Sequence, residues 1–144
     1  LARADVGAVV HVGIAGGPEP GGLVIGSESV YVDLDAAWPV VDRLAADPTL
    51  LALVRRALPH ADVVTIGTSA AVGRMRAEIS VEAMEGFGVL RAAALAGVPA
   101  VEVRAISNTV GEADRGRWRV DDALRALGDA IPALVAAVER TGAP

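Results

Sequence analysis

The chain has 144 residues, 53% of them hydrophobic and 22% charged, with a net charge of −5 at neutral pH. That length holds one folded domain with a sizeable core, and its apolar runs are broken by Gly, Pro or charge well short of the ~18 residues a membrane-crossing helix needs. With no Cys, all 13 basic residues Arg, and 3% aromatics, it excludes disulfides, thiol catalysis, Cys-ligated metal, Schiff-base and pyridoxal chemistry and a Walker-type phosphate loop, and its acidity makes nucleic acid a poor partner.

Leu1 is not Met, and no signal-peptide pattern follows it, so the start reads as a cut end. Val6 to Gly13 is β-branched and nearly continuously apolar, which predicts a buried strand. Gly13 to Gly17 then predicts a tight turn, followed by a Pro/Gly-rich loop through Gly22. Leu23 to Leu34 predicts a strand broken near Gly26. Asp47 as N-cap and Pro48 at the first helical position predict a helix over Pro48 to Leu58. Val63 to Gly67 reads as a short strand and Ala70 to Ala77 as a short helix. Met84 to Ala96 predicts an Ala-rich helix, ended by Gly97 and Pro99. Ala100 to Ser107 is a strand on which Glu102 and Arg104 alternate, with Asn108 at its end. Arg119 to Arg140 is a long closing helix, kinked at Pro132. Strands alternating with helices predict an α/β fold with a largely parallel sheet.

Ligands of open α/β sheets bind at the carboxyl ends of strands, and three features fall there. In Gly13 to Gly17, small residues let backbone N–H groups approach a ligand, although a plain tight turn has the same composition. Glu82 and Glu85 stand where a helix begins. Both serve the helix dipole there, or one of them points into a cleft and takes two vicinal hydroxyls of a ribose. Asn108 is the only Asn in the chain. It suits a turn, or else its carboxamide donates and accepts together, matching the N7 and O6 edge of a 6-oxopurine. Only His11 and His60 are present, in separate segments, so neither a metal site nor a cofactor is expected.

GIAGG, VEAMEGFG, and VRAISN with VGEADRGRW, in this order, resemble the purine nucleoside phosphorylase and nucleosidase superfamily. The stretch AEISVEAMEGFGVLRAAALAGVPAVEVRAISNTVGEADRGRW is most similar to its futalosine hydrolase branch, whose members act in the menaquinone pathway. The resemblance implies a three-layer α/β/α fold around a central mixed, largely parallel sheet, formed as one domain over residues 1–144. It implies N-glycosidic hydrolysis of futalosine, releasing hypoxanthine. It further implies roles: Glu85 holds the ribose hydroxyls, Met84 packs on the sugar, and Asn108 faces hypoxanthine where adenine-specific relatives carry Asp. Ala15 and Gly16 line base and sugar with backbone atoms, and Arg104 braces the site through a charge pair. Ile14 stands where relatives often have Ser, which favours water over phosphate because a buried anion needs donors. The family opens with a strand, a glycine-rich turn and a water-activating acid that this chain lacks, so the acid is expected before Leu1.

The partner expected from this reading is a small purine nucleoside, with neither nucleic acid nor membrane, for a cytoplasmic homo-oligomer. Another purine nucleosidase or a phosphorolytic enzyme of the same fold is the nearest alternative, and a non-catalytic nucleoside-binding or assembly domain the second. A dinucleotide-binding oxidoreductase fits less well, because the Gly13 to Gly17 segment lacks the G-x-G-x-x-G spacing.

Overall fold

The computed structural model describes residues 6–74, 76 and 78–139. Six strands and three helices follow one another as β1 (Val9–Gly17), β2 (Leu23–Tyr31), β3 (Arg43–Ala45), α1 (Pro48–Ala57), β4 (Asp62–Thr68), β5 (Val81–Ala83), α2 (Gly86–Leu95), β6 (Ala100–Thr109) and α3 (Val120–Glu139), with a one-turn 3₁₀ helix at Arg115–Arg117. β1 runs parallel to β6, and β2 parallel to β4, which is in turn parallel to β5. Antiparallel pairing of β2 with β6 and of β5 with β1 closes these strands into a ring. On one edge β2 meets β6 through Leu23–Gly26 and then β3 through Glu28–Val30. The result is the mixed sheet expected, its longest pairings parallel, curled until its ends meet.

Alternation of inward and outward side chains along the strands explains the core. Ala15, Val24, Ile66, Val81, Ala83 and Ile106 form one buried cluster to which every ring strand contributes. A second joins Ile25, Val101 and Val103 to Leu50 and Val54 of α1 and Ala130 and Leu134 of α3. α1 begins as predicted: the Asp47 carboxylate accepts from the Leu50 N–H at 2.8 Å, and Pro48 follows it. α3 continues through Pro132; Arg140, the end expected for it, lies outside the described residues.

Several expectations are corrected. Gly13 to Gly17 is not a turn but the second half of β1, and the chain reverses only after it. β2 ends at Tyr31 rather than Leu34, and near Gly26 it carries a register shift instead of a break. β6 runs on past Ser107, so Asn108 lies within the strand. Residues 70–74 and 76 are turn, bend or irregular chain rather than helix, because the Ser69 hydroxyl bonds the Ala71 carbonyl at 2.6 Å and offers the backbone an alternative to a helix; Met75 and Ala77, also in that expected helix, lie outside the described residues. α2 starts at Gly86, two residues after Met84, because Val81–Ala83 is a strand. No helix among the described residues is long and apolar enough to cross a membrane.

Candidate active site

A cleft of about 430 Å³ runs along β1, lined in succession by His11 through Gly16. β5 and the link to α2 add Glu82 to Glu85, and β6 adds Arg104, Ser107 and Asn108. Val72 and Trp118 complete the wall. Ala15, Gly16, Met84, Glu85, Arg104 and Asn108, the six residues singled out in the sequence, therefore meet in one place. Ala15 and Gly16, Asn108, and Met84 with Glu85 lie at or just past the carboxyl ends of β1, β6 and β5, as expected, and because β5 runs antiparallel to β1 it carries Glu85 back towards His11, beside the mid-strand Arg104.

Strand register builds the charged end of the cleft. His11 pairs with Glu102 and Gly13 with Arg104 across β1 and β6. Residues two apart share a face of a sheet, so His11, Glu102 and Arg104 stand together. The Arg104 Nε donates to Glu102 Oε1 at 2.6 Å, its Nη2 lies 2.6 Å from His11 Nε2, and its Nη1 is 3.4 Å from Glu85 Oε2 and from the Ile14 carbonyl oxygen. Gly13 makes this possible, because a Cβ there would collide with the Arg104 guanidinium. Gly13→Ala is expected to cost about 1–3 kcal/mol by overpacking, measured by denaturant unfolding; an unchanged midpoint would mean that Arg104 moves aside freely.

Burial pushes the Glu102 carboxyl above the usual carboxylate range, opposed by the neighbouring Arg104 charge. Burial, with Arg104 second, holds the His11 ring below its ordinary value, and Glu85 opposes them. A neutral His11 can accept at Nε2 from the permanently charged Arg104, which puts its own proton on Nδ1. Glu85 stands at the N-cap of α2 but makes no side-chain capping bond. It reaches Arg104 instead and stays 61% exposed. Glu82 belongs to β5, not to a helix, and its carboxylate accepts from the Gly73 N–H at 2.7 Å.

Asn108 closes the other end. Its Oδ1 accepts from the Ser107 hydroxyl at 2.7 Å and its Nδ2 donates to the Thr109 carbonyl at 3.0 Å. Flipping the amide would set Oδ1 against that carbonyl, so Nδ2 is the atom that faces Thr109, and it carries a second proton. Sequence reasoning missed His11, Glu102, Val72, Ser107 and Trp118 as parts of this region. The alternation of Glu102 and Arg104 on β6 was the available signal for a polar face, but its partner His11 is 93 residues from Arg104 along the chain.

The family model described as the phosphorylase superfamily matches residues 1–141. The chain belongs to the phosphorylase superfamily. It is 36% identical over 155 residues to a futalosine hydrolase of Streptomyces coelicolor, a match covering 91% of this chain and 66% of that protein. To a futalosine hydrolase of Acidothermus cellulolyticus it is 33% identical over 165 residues, covering 95% and 68%. The chain thus spans about two thirds of the length of these curated relatives. The solved futalosine hydrolase of Helicobacter pylori, here a mutant, superposes with a TM-score of 0.82 at 18% identity, over 91% of this chain and 69% of that one. That last likeness shows that the two chains share a fold.

Proposed function

We propose that the protein hydrolyses the N-glycosidic bond of futalosine, releasing hypoxanthine, as a step of menaquinone biosynthesis. The observation that carries this reading is the meeting of Glu85 and Asn108 in one cleft, in a chain whose curated relatives are futalosine hydrolases. In this reading Glu85 holds the ribose 2′- and 3′-hydroxyls and its charge favours the oxocarbenium-like sugar. Met84 packs on the sugar, and the Ala15 and Gly16 backbone flanks sugar and base. Asn108 donates to the purine, whose negative charge grows as the C1′–N9 bond breaks and the base takes the bonding electron pair. Water supplies the new C1′–O bond and the proton that the departing base takes up.

Hydrolysis is preferred to phosphorolysis because Arg104, the one cationic side chain lining the cleft among the described residues, is already engaged by Glu102, Glu85 and His11. A phosphate would have to compete with two carboxylates for it, and Ile14 offers it no side-chain donor. The same reading puts the protein in the cytoplasm as a homo-oligomer, for which the half-exposed Ile131 and Val135 of α3 offer an apolar contact face.

The test is incubation of the full-length protein with futalosine, with and without inorganic phosphate, and chromatographic measurement of free base. Hypoxanthine released at the same rate in both is the expected result. Release that requires phosphate would turn the reading to a phosphorylase. Binding of hypoxanthine by calorimetry with no release in either condition would turn it to a nucleoside-binding domain.

A further inference from the structure

We propose that Glu102 and His11 are positioning residues that lock the Arg104 guanidinium in one orientation, so that its Nη1 fixes Glu85 in the cleft; this rests on the reading of Glu85 as the ribose-binding carboxylate. Each nitrogen of the guanidinium has its own partner: Nε has Glu102, Nη2 has His11, and Nη1 has Glu85 and the Ile14 carbonyl. A planar group held at all three nitrogens cannot turn without breaking a charge-assisted bond. Room for the arrangement is left on both sides by missing side chains. A Cβ at Gly13 would strike Arg104, and one at Gly86 would strike the Glu102 carboxylate.

Stability alone is a poor reason for such a pair. Glu102 is fully buried, and its Oε2 is the one buried side-chain oxygen without a hydrogen-bond partner among the described residues. Buried ion pairs are often no more stable than apolar residues of similar volume. Directly in front of this pair stands Glu85, whose side chain is 61% exposed and, without Arg104, would be free to sample solvent rotamers. Arg104 pins Oε2 of Glu85 and leaves Oε1 to face the sugar.

Two variants separate position from stability. Glu102→Gln keeps the volume and removes the charge. The double variant Glu102→Leu/Arg104→Met replaces the pair with apolar residues and is expected to melt at or near the wild-type temperature. Both are expected to lose roughly 10- to 100-fold in kcat while hypoxanthine binding, which depends on Asn108, stays unchanged. Nitrogen NMR of the His11 ring reads the lock without any turnover. The wild-type ring carries its proton on Nδ1 with Nε2 as acceptor, and both variants should free Nε2 and populate the other tautomer. If Glu102→Gln only lowers the melting temperature, with kcat and the His11 tautomer as in wild type, Glu102 is a structural residue and the inference falls. Should Glu102→Gln not fold, the double variant decides: unchanged kcat and unchanged hypoxanthine binding there overturn the inference, and a loss of kcat alone upholds it. If the wild type releases no hypoxanthine from futalosine, the proposed function fails, and the His11 tautomer still decides this inference on its own.

Discussion

Glu85→Gln is expected to lower kcat/KM for futalosine by about 10²–10³, the scale on which preorganised polar contacts to a transition state act, and to leave the melting temperature nearly unchanged. Glu85 contributes little to stability: its side chain is 61% exposed, it makes no side-chain bond capping α2, and its contact to Arg104 is long, at 3.4 Å. A contact of that kind at a solvated position stabilises by ~1 kcal/mol or less. Gln preserves shape and can still bond one hydroxyl, but it cannot lend negative charge to a sugar that becomes positive. Steady-state kinetics and a thermal melt on the same preparations decide the matter. A fall of many degrees in melting temperature with activity spared would make Glu85 a structural residue and move the site elsewhere.

The parts of the fold legible in the sequence are those whose cause is local. Asp47-Pro48 announces α1, Gly97 and Pro99 announce the end of α2, and the apolar runs of β1, β2, β4 and β6 announce buried strands. β3 and β5, three residues each, are too short for a period to show. β5 exists because β4 and β1 flank it, and neither is close in sequence. Gly13 to Gly17 looked like a turn because glycine usually marks one. Here Gly13 is needed inside a strand, where a side chain from β6 crosses it. The helix expected from Ala70 lost to Ser69, whose hydroxyl bonds the backbone two residues on.

The site divides in the same way. Short motifs carried Glu85, Met84, Arg104 and Asn108, and all of them line the cleft. What lay behind Arg104 did not show. Glu102 alternates with Arg104 on an apolar strand, a pattern that does not say how deep it lies; it is fully buried, because β6 lies between β1 and β2 and is covered by α3 and α2. His11 read as one polar residue in an apolar strand, and only the parallel register of β1 with β6 brings it opposite Glu102.

Asn108→Asp is expected to shift base preference from 6-oxo towards 6-amino purine nucleosides, even as total activity falls. Asn108 is 4% exposed, with Oδ1 taken by Ser107 and one Nδ2 proton by the Thr109 carbonyl. The proton that remains can meet N7 or O6 of hypoxanthine, both acceptors. An ionised Asp would set one oxygen against the Thr109 carbonyl and present an acceptor to O6. Each buried mismatch of that kind costs about 1–3 kcal/mol, which corresponds to roughly a fivefold to a hundredfold change in rate. The Asp side chain escapes the first mismatch by keeping a proton on the oxygen that replaces Nδ2 and donating it to Thr109, and a lone pair of that same oxygen then accepts from a 6-amino group. Adenine-type bases thus gain a partner where hypoxanthine loses one. Measuring kcat/KM for a 6-oxo and 6-amino nucleoside pair on both proteins gives the ratio directly. The wild type should favour the 6-oxo compound, and the variant should move the ratio by at least about fivefold, the lower bound of that mismatch cost. A wild type that prefers the 6-amino compound, or a ratio left where it was, would mean that Asn108 does not read the base and that Ser107 and Thr109 hold it for structure alone.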